Sequence, residues 1–161
     1  DGNNLLCAAR AADPDRPPGR ASLNGALGEW ATRTGQRVHV VYDGVAPSGG
    51  FARQLGHARV ELTFSGGGIS ADAVIGQILA SHSAARRVVV VSSDHEVQRA
   101  AKHHLARAVG ADEFWAFVQR ELRRPPPRSD EPEAKRHGLD PTDTERWLRE
   151  FGLLEDAETG E

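Results

Sequence analysis

The chain has 161 residues, with 20 Lys+Arg against 23 Asp+Glu and a formal net charge of -3. Hydrophobic residues make up 39%, which lets a chain of this size bury one core. A single cysteine, Cys7, excludes a disulfide framework and a multi-cysteine zinc site, and the longest aliphatic run, Val88-Val89-Val90-Val91, falls far short of the ~20 apolar residues of a membrane helix. With no apolar signal-peptide segment either, the composition points to a globular protein of a reducing compartment, the cytoplasm.

Along the chain, strand and helix signals alternate. Asp1, Gly2, Asn3 and Asn4 read as a loop before an apolar step at Leu5 and Leu6, with Cys7 early in a helix as a buried structural thiol. Residues 20–35 have helical spacing: Ser22 is the expected N-cap, Leu23, Leu27, Trp30 and Thr34 share one face, and Gly35 ends the element. Residues 37–42 (RVHVVY) and 59–64 (RVELTF) predict β-branched strands, closed by Asp43-Gly44 and by Ser65-Gly66-Gly67-Gly68. The Gly-rich stretch between them, residues 46–58, carries Arg53 and His57 and reads as a mobile loop. Residues 70–81 predict a helix that turns Val74, Ile75, Ile78 and Leu79 inward. Residues 87–91 form an apolar run, the pattern of a strand covered on both faces, and a helix follows from His95 to about Lys102. A short strand within residues 105–109 precedes a last helix, capped by Asp112 and running to Leu122, with Phe114, Trp115 and Val118 as its core face. This alternation predicts an α/β fold with a mainly parallel sheet.

Charge divides the chain at a Pro-rich break. Residues 1–124 hold 15 Lys+Arg and 12 Asp+Glu, a net +3, whereas residues 125–161 hold 5 and 11, a net -6. Pro125, Pro126, Pro127 and Pro132 mark residues 125–139 as a linker. Residues 140–161 form an acidic tail, where Trp147, Leu148 and Phe151 give a short docking helix its stripe. Residues 1–124 are then the folded domain. The lack of Met and the start at Asp1 lead us to expect that the sequence is not a complete translated chain.

In open parallel sheets, ligands bind beyond the carboxyl ends of the strands. Asp43 directly follows the first predicted strand, Asp94 follows Val91-Ser92-Ser93, and Asp72 sits in the first turn of the helix that begins at Ser70. Asp1 stands in a comparable place before Leu5 and Leu6. Taken singly, each is an ordinary aspartate at a helix start, accepting orphan N–H bonds. Taken together, carboxylates that converge without a Lys or Arg inside the motifs repel one another unless a divalent cation neutralises them. Mg2+ or Mn2+ suits such an all-oxygen donor set, and such a centre suits phosphodiester hydrolysis.

Asp1-Gly2-Asn3-Asn4-Leu5-Leu6, Val40-Val41-Tyr42-Asp43-Gly44, Ser70-Ala71-Asp72 and Val90-Val91-Ser92-Ser93-Asp94 resemble, in order and spacing, the motifs of YacP-like NYN domains, a branch of the PIN-like nucleases. The stretch Ser93-Asp94-His95-Glu96-Val97-Gln98-Arg99-Ala100-Ala101 is similar to that family's last acidic motif. The resemblance covers about residues 1–122. It implies a PIN-like three-layer fold, with helices on both faces of a mainly parallel central sheet. It also implies metal-dependent endoribonuclease activity on single-stranded RNA and, among bacterial members, association with the ribosome. By that resemblance Asp1, Asp72 and Asp94 are metal ligands, Asp43 is a supporting acid, Asn4 positions the loop or the substrate phosphate, and Ser93 is a further substrate contact. A central hydrophobic strand ends at the first aspartate in this family, so about five or more residues are expected ahead of Asp1. Ile69, Ala73 and Gly76 stand where further acids are common, which favours one ion over two and leaves weak or lost catalysis as an alternative.

Arg10, Arg16, Arg20, Arg53, Arg59 and Arg99 are the candidate contacts to RNA phosphates, because guanidinium binds phosphate bidentately. An arginine-rich solvated surface explains them equally well. Gly66-Gly67-Gly68 lacks the Lys-Ser/Thr of a P-loop, and the adjacent His103 and His104 cannot share one helical face as a metal pair. Three readings remain: a metal-dependent endoribonuclease, an RNA- or ribosome-binding module that lost efficient chemistry, and another Mg-dependent, phosphatase-like α/β domain. The last is disfavoured because no Asp-x-Asp nucleophile pair is present.

Overall fold

β-branched residues build two parallel strand pairs, and helices cover them on both sides. A computed structural model describes residues 1–47 and 57–125. In chain order its elements are α1 (Gly2–Ala12), α2 (Arg20–Thr34), β1 (Val38–Tyr42), β2 (Val60–Phe64), α3 (Ala71–Ser81), a 3-10 turn (Ala85–Arg87), β3 (Val89–Val91), α4 (His95–His103), β4 (Arg107–Val109) and α5 (Ala111–Arg123). All of them lie in one unit, Asp1–Arg124. Arg53 and the rest of 48–56, most of the Pro-rich linker, and the tail with Trp147, Leu148 and Phe151 lie outside the described residues. Among the described residues no helix is long and apolar enough to cross a membrane.

β1 pairs with β2 from Val38 opposite Val60 to Tyr42 opposite Phe64, and β3 pairs with β4 from Val89 opposite Arg107 to Val91 opposite Val109. The predicted α/β architecture with parallel strands is what forms. Strand alternation sends neighbouring residues to opposite layers. Val40 joins Leu5, Leu27 and Val118 of α1, α2 and α5, while Val41 joins Ile75, Leu79 and Val97 of α3 and α4. Among the described residues the two pairs are separate two-stranded sheets, because no ladder links β1 to β3.

Several local expectations are corrected. Asp1 to Asn4 is no loop: Asp1 is the N-cap of α1, and its Oδ1 accepts from the backbone N–H groups of Asn3 (3.0 Å) and Asn4 (3.1 Å). Cys7 is exposed, because α1 buries Gly2, Leu5, Leu6 and Ala9 and so turns position 7 outward. α2 begins two residues before Ser22, with Gly19 as N-cap accepting from Leu23 N–H (3.0 Å). Thr34 faces solvent in the last turn, where its hydroxyl donates back to Trp30 O (2.8 Å). α5 starts at Ala111 after Gly110, and Ala111 N–H is taken by Ser93 Oγ (3.2 Å) rather than by Asp112. Val89 is 41% exposed, so β3 is not covered on both faces.

Candidate functional site

The carboxyl end of β1, the start of α3 and the turn from β3 into α4 bring polar groups together. Asp43, one residue past β1, accepts from Ala71 N–H with Oδ1 (2.7 Å) and from Asn3 Nδ2 with Oδ2 (2.6 Å). It thereby ties β1 to the first turns of α3 and α1. Asp94 caps α4 by accepting from Glu96 N–H with Oδ1 (2.6 Å). Three helices, α1, α3 and α4, begin at Asp1, Ser70 and Asp94, so these residues stand at helix N-termini, where the peptide dipoles favour negative charge.

Ser92 is the buried joint of this region. Its hydroxyl donates to Asp1 Oδ2 (3.0 Å) and accepts from Asp94 N–H (3.1 Å) and Asn4 Nδ2 (3.3 Å). Asn4 Nδ2 also donates to Asp1 Oδ2, and Gln98 Nε2 donates to Ser92 O (2.8 Å). Both oxygens of Asp1 are therefore engaged within the protein. The α-amino group of Asp1 donates to Val91 O (3.0 Å).

Asp72 behaves differently. It lies in the first turn of α3, and its carboxylate has no hydrogen bond among the described residues. Partial desolvation raises its carboxyl above the usual aspartate value. The charges of Asp94, Asp43 and Glu96 push the same way, and the α-amino group of Asp1 opposes them. Like charges are thus gathered here without a fixed cation strong enough to offset them, a donor set that fits a hard divalent ion. Asp72 and Asp94 keep unengaged carboxylate oxygens for such an ion. No three His, Cys, Asp or Glu side chains among the described residues form a ready-made metal cage.

The remaining sequence-predicted residues are spread around this centre. Asn4 is held in it, as above. Ser93 is exposed but uses its hydroxyl on the start of α5. Arg99 lies on the exposed side of α4, paired with Glu96 at 3.7 Å. Arg59 precedes β2 at the amino end of the strands, away from the carboxylates; a five-residue strand puts about 16 Å between the two ends. Arg53 lies outside the described residues.

Sequence reasoning missed Asn3, Ser92 and Glu96 as members of the site. Asn3 links Asp43 to Arg20, whose Nη2 donates to Asn3 Oδ1 (3.5 Å) and whose guanidinium lies 4.6 Å from the Tyr42 ring centroid. The signal for Ser92 was available: a hydroxyl directly after four valines is carried into the interior and needs partners there. Burial pushes the Tyr42 phenol up to about 12, against Arg20 and Asn24, so it stays a neutral donor to Asn24 Oδ1 (2.9 Å).

Asp72 predicts a pH dependence. Partial desolvation, then the charges of Asp94 and Asp43, raise its carboxyl, so the folded state holds this proton more tightly than the unfolded chain does. Its contribution to stability is therefore full below the usual aspartate value and falls as pH rises through the raised one. Urea denaturation in EDTA across that range should show the fall, and Asp72→Asn should remove it.

A family model described as the YacP-like NYN domain matches residues 2–150. The chain belongs to this family. The match runs past the Pro-rich stretch, beyond the residues that carry the four motifs. Among solved structures, the chain is similar to the crystal structure of Rae1 (YacP) from Bacillus subtilis, with 25% identity, a TM-score of 0.61, and coverage of 94% of this chain and 90% of that one. A mutant form of the same Bacillus subtilis protein matches with 25% identity and a TM-score of 0.57, covering 92% and 87%. No curated protein matches the chain. The YacP-like assignment makes this a nuclease-family domain with a PIN-like fold.

Proposed function

We propose that the protein is a metal-dependent endoribonuclease that cleaves single-stranded RNA in the cytoplasm, with Mg2+ or Mn2+ held by Asp72 and Asp94. The observation that carries this reading is the gathering of Asp72, Asp94, Asp43 and Glu96 at the carboxyl edge of the strands, where partial desolvation and then these neighbouring charges raise the Asp72 carboxyl. The chemistry that a divalent ion supplies at such a centre is neutralisation of the phosphate and a lower pKa for the attacking water. Asp43 holds the start of α3, and with it Asp72, against β1. Ser92 and Asn4 fix Asp1, which completes the acidic wall. The N-termini of α1, α3 and α4 supply backbone N–H dipoles toward an anionic substrate. Arg99 and Arg20 are the proposed contacts to flanking phosphates, the first solvent-facing and the second anchored through Asn3. The ribosome is a partner to be tested, as the resemblance to YacP-like NYN domains implies.

The test is cleavage of unstructured and structured RNA with Mn2+, Mg2+ or EDTA. Cleavage that needs the ion and prefers the unstructured RNA is expected; cleavage that persists in EDTA would sink the proposal. One observation favours a second reading, an RNA- or ribosome-binding module with the same fold. The described residues hold no ready-made three-ligand cage, and Ile69 and Ala73 flank the Asp72 motif with apolar side chains. That reading predicts salt-dependent RNA binding with no cleavage under any ion.

A further inference from the structure

The layer built by α3, β3, α4 and β4 carries its charges at opposite ends. From residue 73 to residue 111 the only acids are Asp94 and Glu96, both at the carboxyl end of the strands. Arg86, Arg87, Lys102 and Arg107 stand at the amino end. The first two close the 3-10 turn before β3, Lys102 is in the last turn of α4, and Arg107 opens β4. Arg107 N–H donates to Val88 O (3.0 Å), which sets Arg107 beside Arg87. All four are exposed, and among the described residues none has an ion pair or a side-chain hydrogen bond. The helix dipole accounts for Lys102, at a carboxyl terminus, but not for Arg86, Arg87 and Arg107, which lie outside α3 and α4.

Arg86 and Arg87 line a cavity of about 350 Å³ together with His82, His104 and Leu105. Leu105 is the one described non-glycine residue with a positive φ, 63°, in the left-handed region where helices ordinarily end on glycine or asparagine. Leu105 N–H donates to Lys102 O (3.0 Å) and Ala106 N–H to Ala101 O (2.9 Å), so this position closes α4 as glycine would. The leucine is nevertheless 61% exposed, and its side chain therefore does little for the core while its backbone is strained. Free cations and a strained, outward-facing apolar side chain thus meet at one small cavity.

We propose that this notch is a second RNA contact, outside the carboxylate centre, in which Arg86 and Arg87 hold a phosphate and Leu105 packs against the neighbouring unpaired base. Guanidinium groups match phosphate oxygens bidentately, and Lys102 and Arg107 extend the positive field around them. The volume is at the small end of ligand pockets, which suits one nucleotide. Arg87 and Ser92 are separated by an extended segment of about 16 Å, so the notch lies about five stacked nucleotides from the acids. An anchor at that distance keeps a strand bound whose phosphates the acids repel. The proposal rests on the RNA reading for the identity of its ligand, and not on cleavage.

The test is binding of a single-stranded RNA of about 20 nucleotides to the full chain in EDTA, read by fluorescence anisotropy across a range of salt. Arg86→Gln/Arg87→Gln should weaken binding about tenfold and lower the salt slope by about 1.4, at about 0.7 per phosphate contact. Arg120→Gln/Arg123→Gln removes the same charge from α5, in the other layer, and should change affinity by about twofold at most. Leu105→Gly should raise the melting temperature, because glycine takes this φ without strain, and yet weaken RNA binding about threefold. A variant that gains stability and loses RNA separates a contact from a structural role. Parent affinity in either notch variant, an equal loss in the α5 variant, or tighter binding of a duplex of the same length would overturn the proposal. Displacement of the RNA by equimolar AMP would overturn it too, by assigning the notch to free nucleotides. Failure of the nuclease reading looks different: the RNA stays uncleaved with any ion while both notch variants still lose affinity.

Discussion

Asp72→Asn and Asp94→Asn should each lower the proposed RNA cleavage by about 100-fold or more, since losing even a supporting residue of a metal site costs about 10–100-fold. Neither loss should come from unfolding. The Asp72 carboxylate makes no hydrogen bond among the described residues, and Asp94, Asp43 and Glu96 all disfavour its charge, so an amide there removes repulsion. Asp72→Asn should therefore raise the melting temperature in EDTA at neutral pH while abolishing the further rise that Mn2+ gives the parent protein. Asp94→Asn keeps an N-cap on α4, because asparagine accepts the Glu96 N–H as aspartate does. Cleavage assays beside thermal melts with and without Mn2+ separate the two effects. Full activity in both variants, or activity that falls only with melting temperature, would refute the assignment.

Gly2→Ala should destabilise the protein by about 1–3 kcal/mol through overpacking. A Cβ at Gly2 would stand 2.5 Å from Tyr42 Cε1 and 2.7 Å from Val40 Cγ1. The Tyr42 ring has no room to retreat. It is fully buried, stacked on Phe64 at 5.7 Å, covered by Arg20 and hydrogen-bonded to Asn24. The melting temperature should fall by roughly 5–15 °C. The backbone shift needed to relieve the contact also displaces Asp1, Asn3 and Asn4, so residual activity should drop even below the melting range. Gly25→Ala is the control: nothing lies within 4 Å of its Cβ, and helix propensity alone predicts a gain of up to about 1 kcal/mol. Equal behaviour of the two variants in thermal melts would show that the α1–β1 contact is not tight.

The strands and most helices were readable because their periodicity is local. Val38, Val40 and Val41 make a β-branched run that Asp43-Gly44 closes, and Ser70, Asp94 and Gly35 mark helix ends by chemistry that acts within one turn. What escaped was long-range. Asp1 looks like a loop residue until its hydrogen bonds to Asn3 and Asn4 make it a cap. Ser93 ends up holding α5, a helix that begins 18 positions later, so Asp112 was left without the role its sequence position suggested. The carboxylates stood out as candidates because strand ends are where ligands bind in such sheets. Their different roles, with Asp43 and Asp1 engaged in structure and Asp72 left free, depend on partners that no local pattern encodes.

The hydrogen bond from Ser92 Oγ to Asp1 Oδ2 joins residues 91 positions apart. During synthesis, at about 5–20 residues per second, the first aspartate waits several seconds for the serine that fixes it. A nascent chain that has not passed Asp94 lacks the partners of Asp1 and Asn4, so the acidic edge of the strands forms only after both segments have left the ribosome, and its assembly is a late event of synthesis.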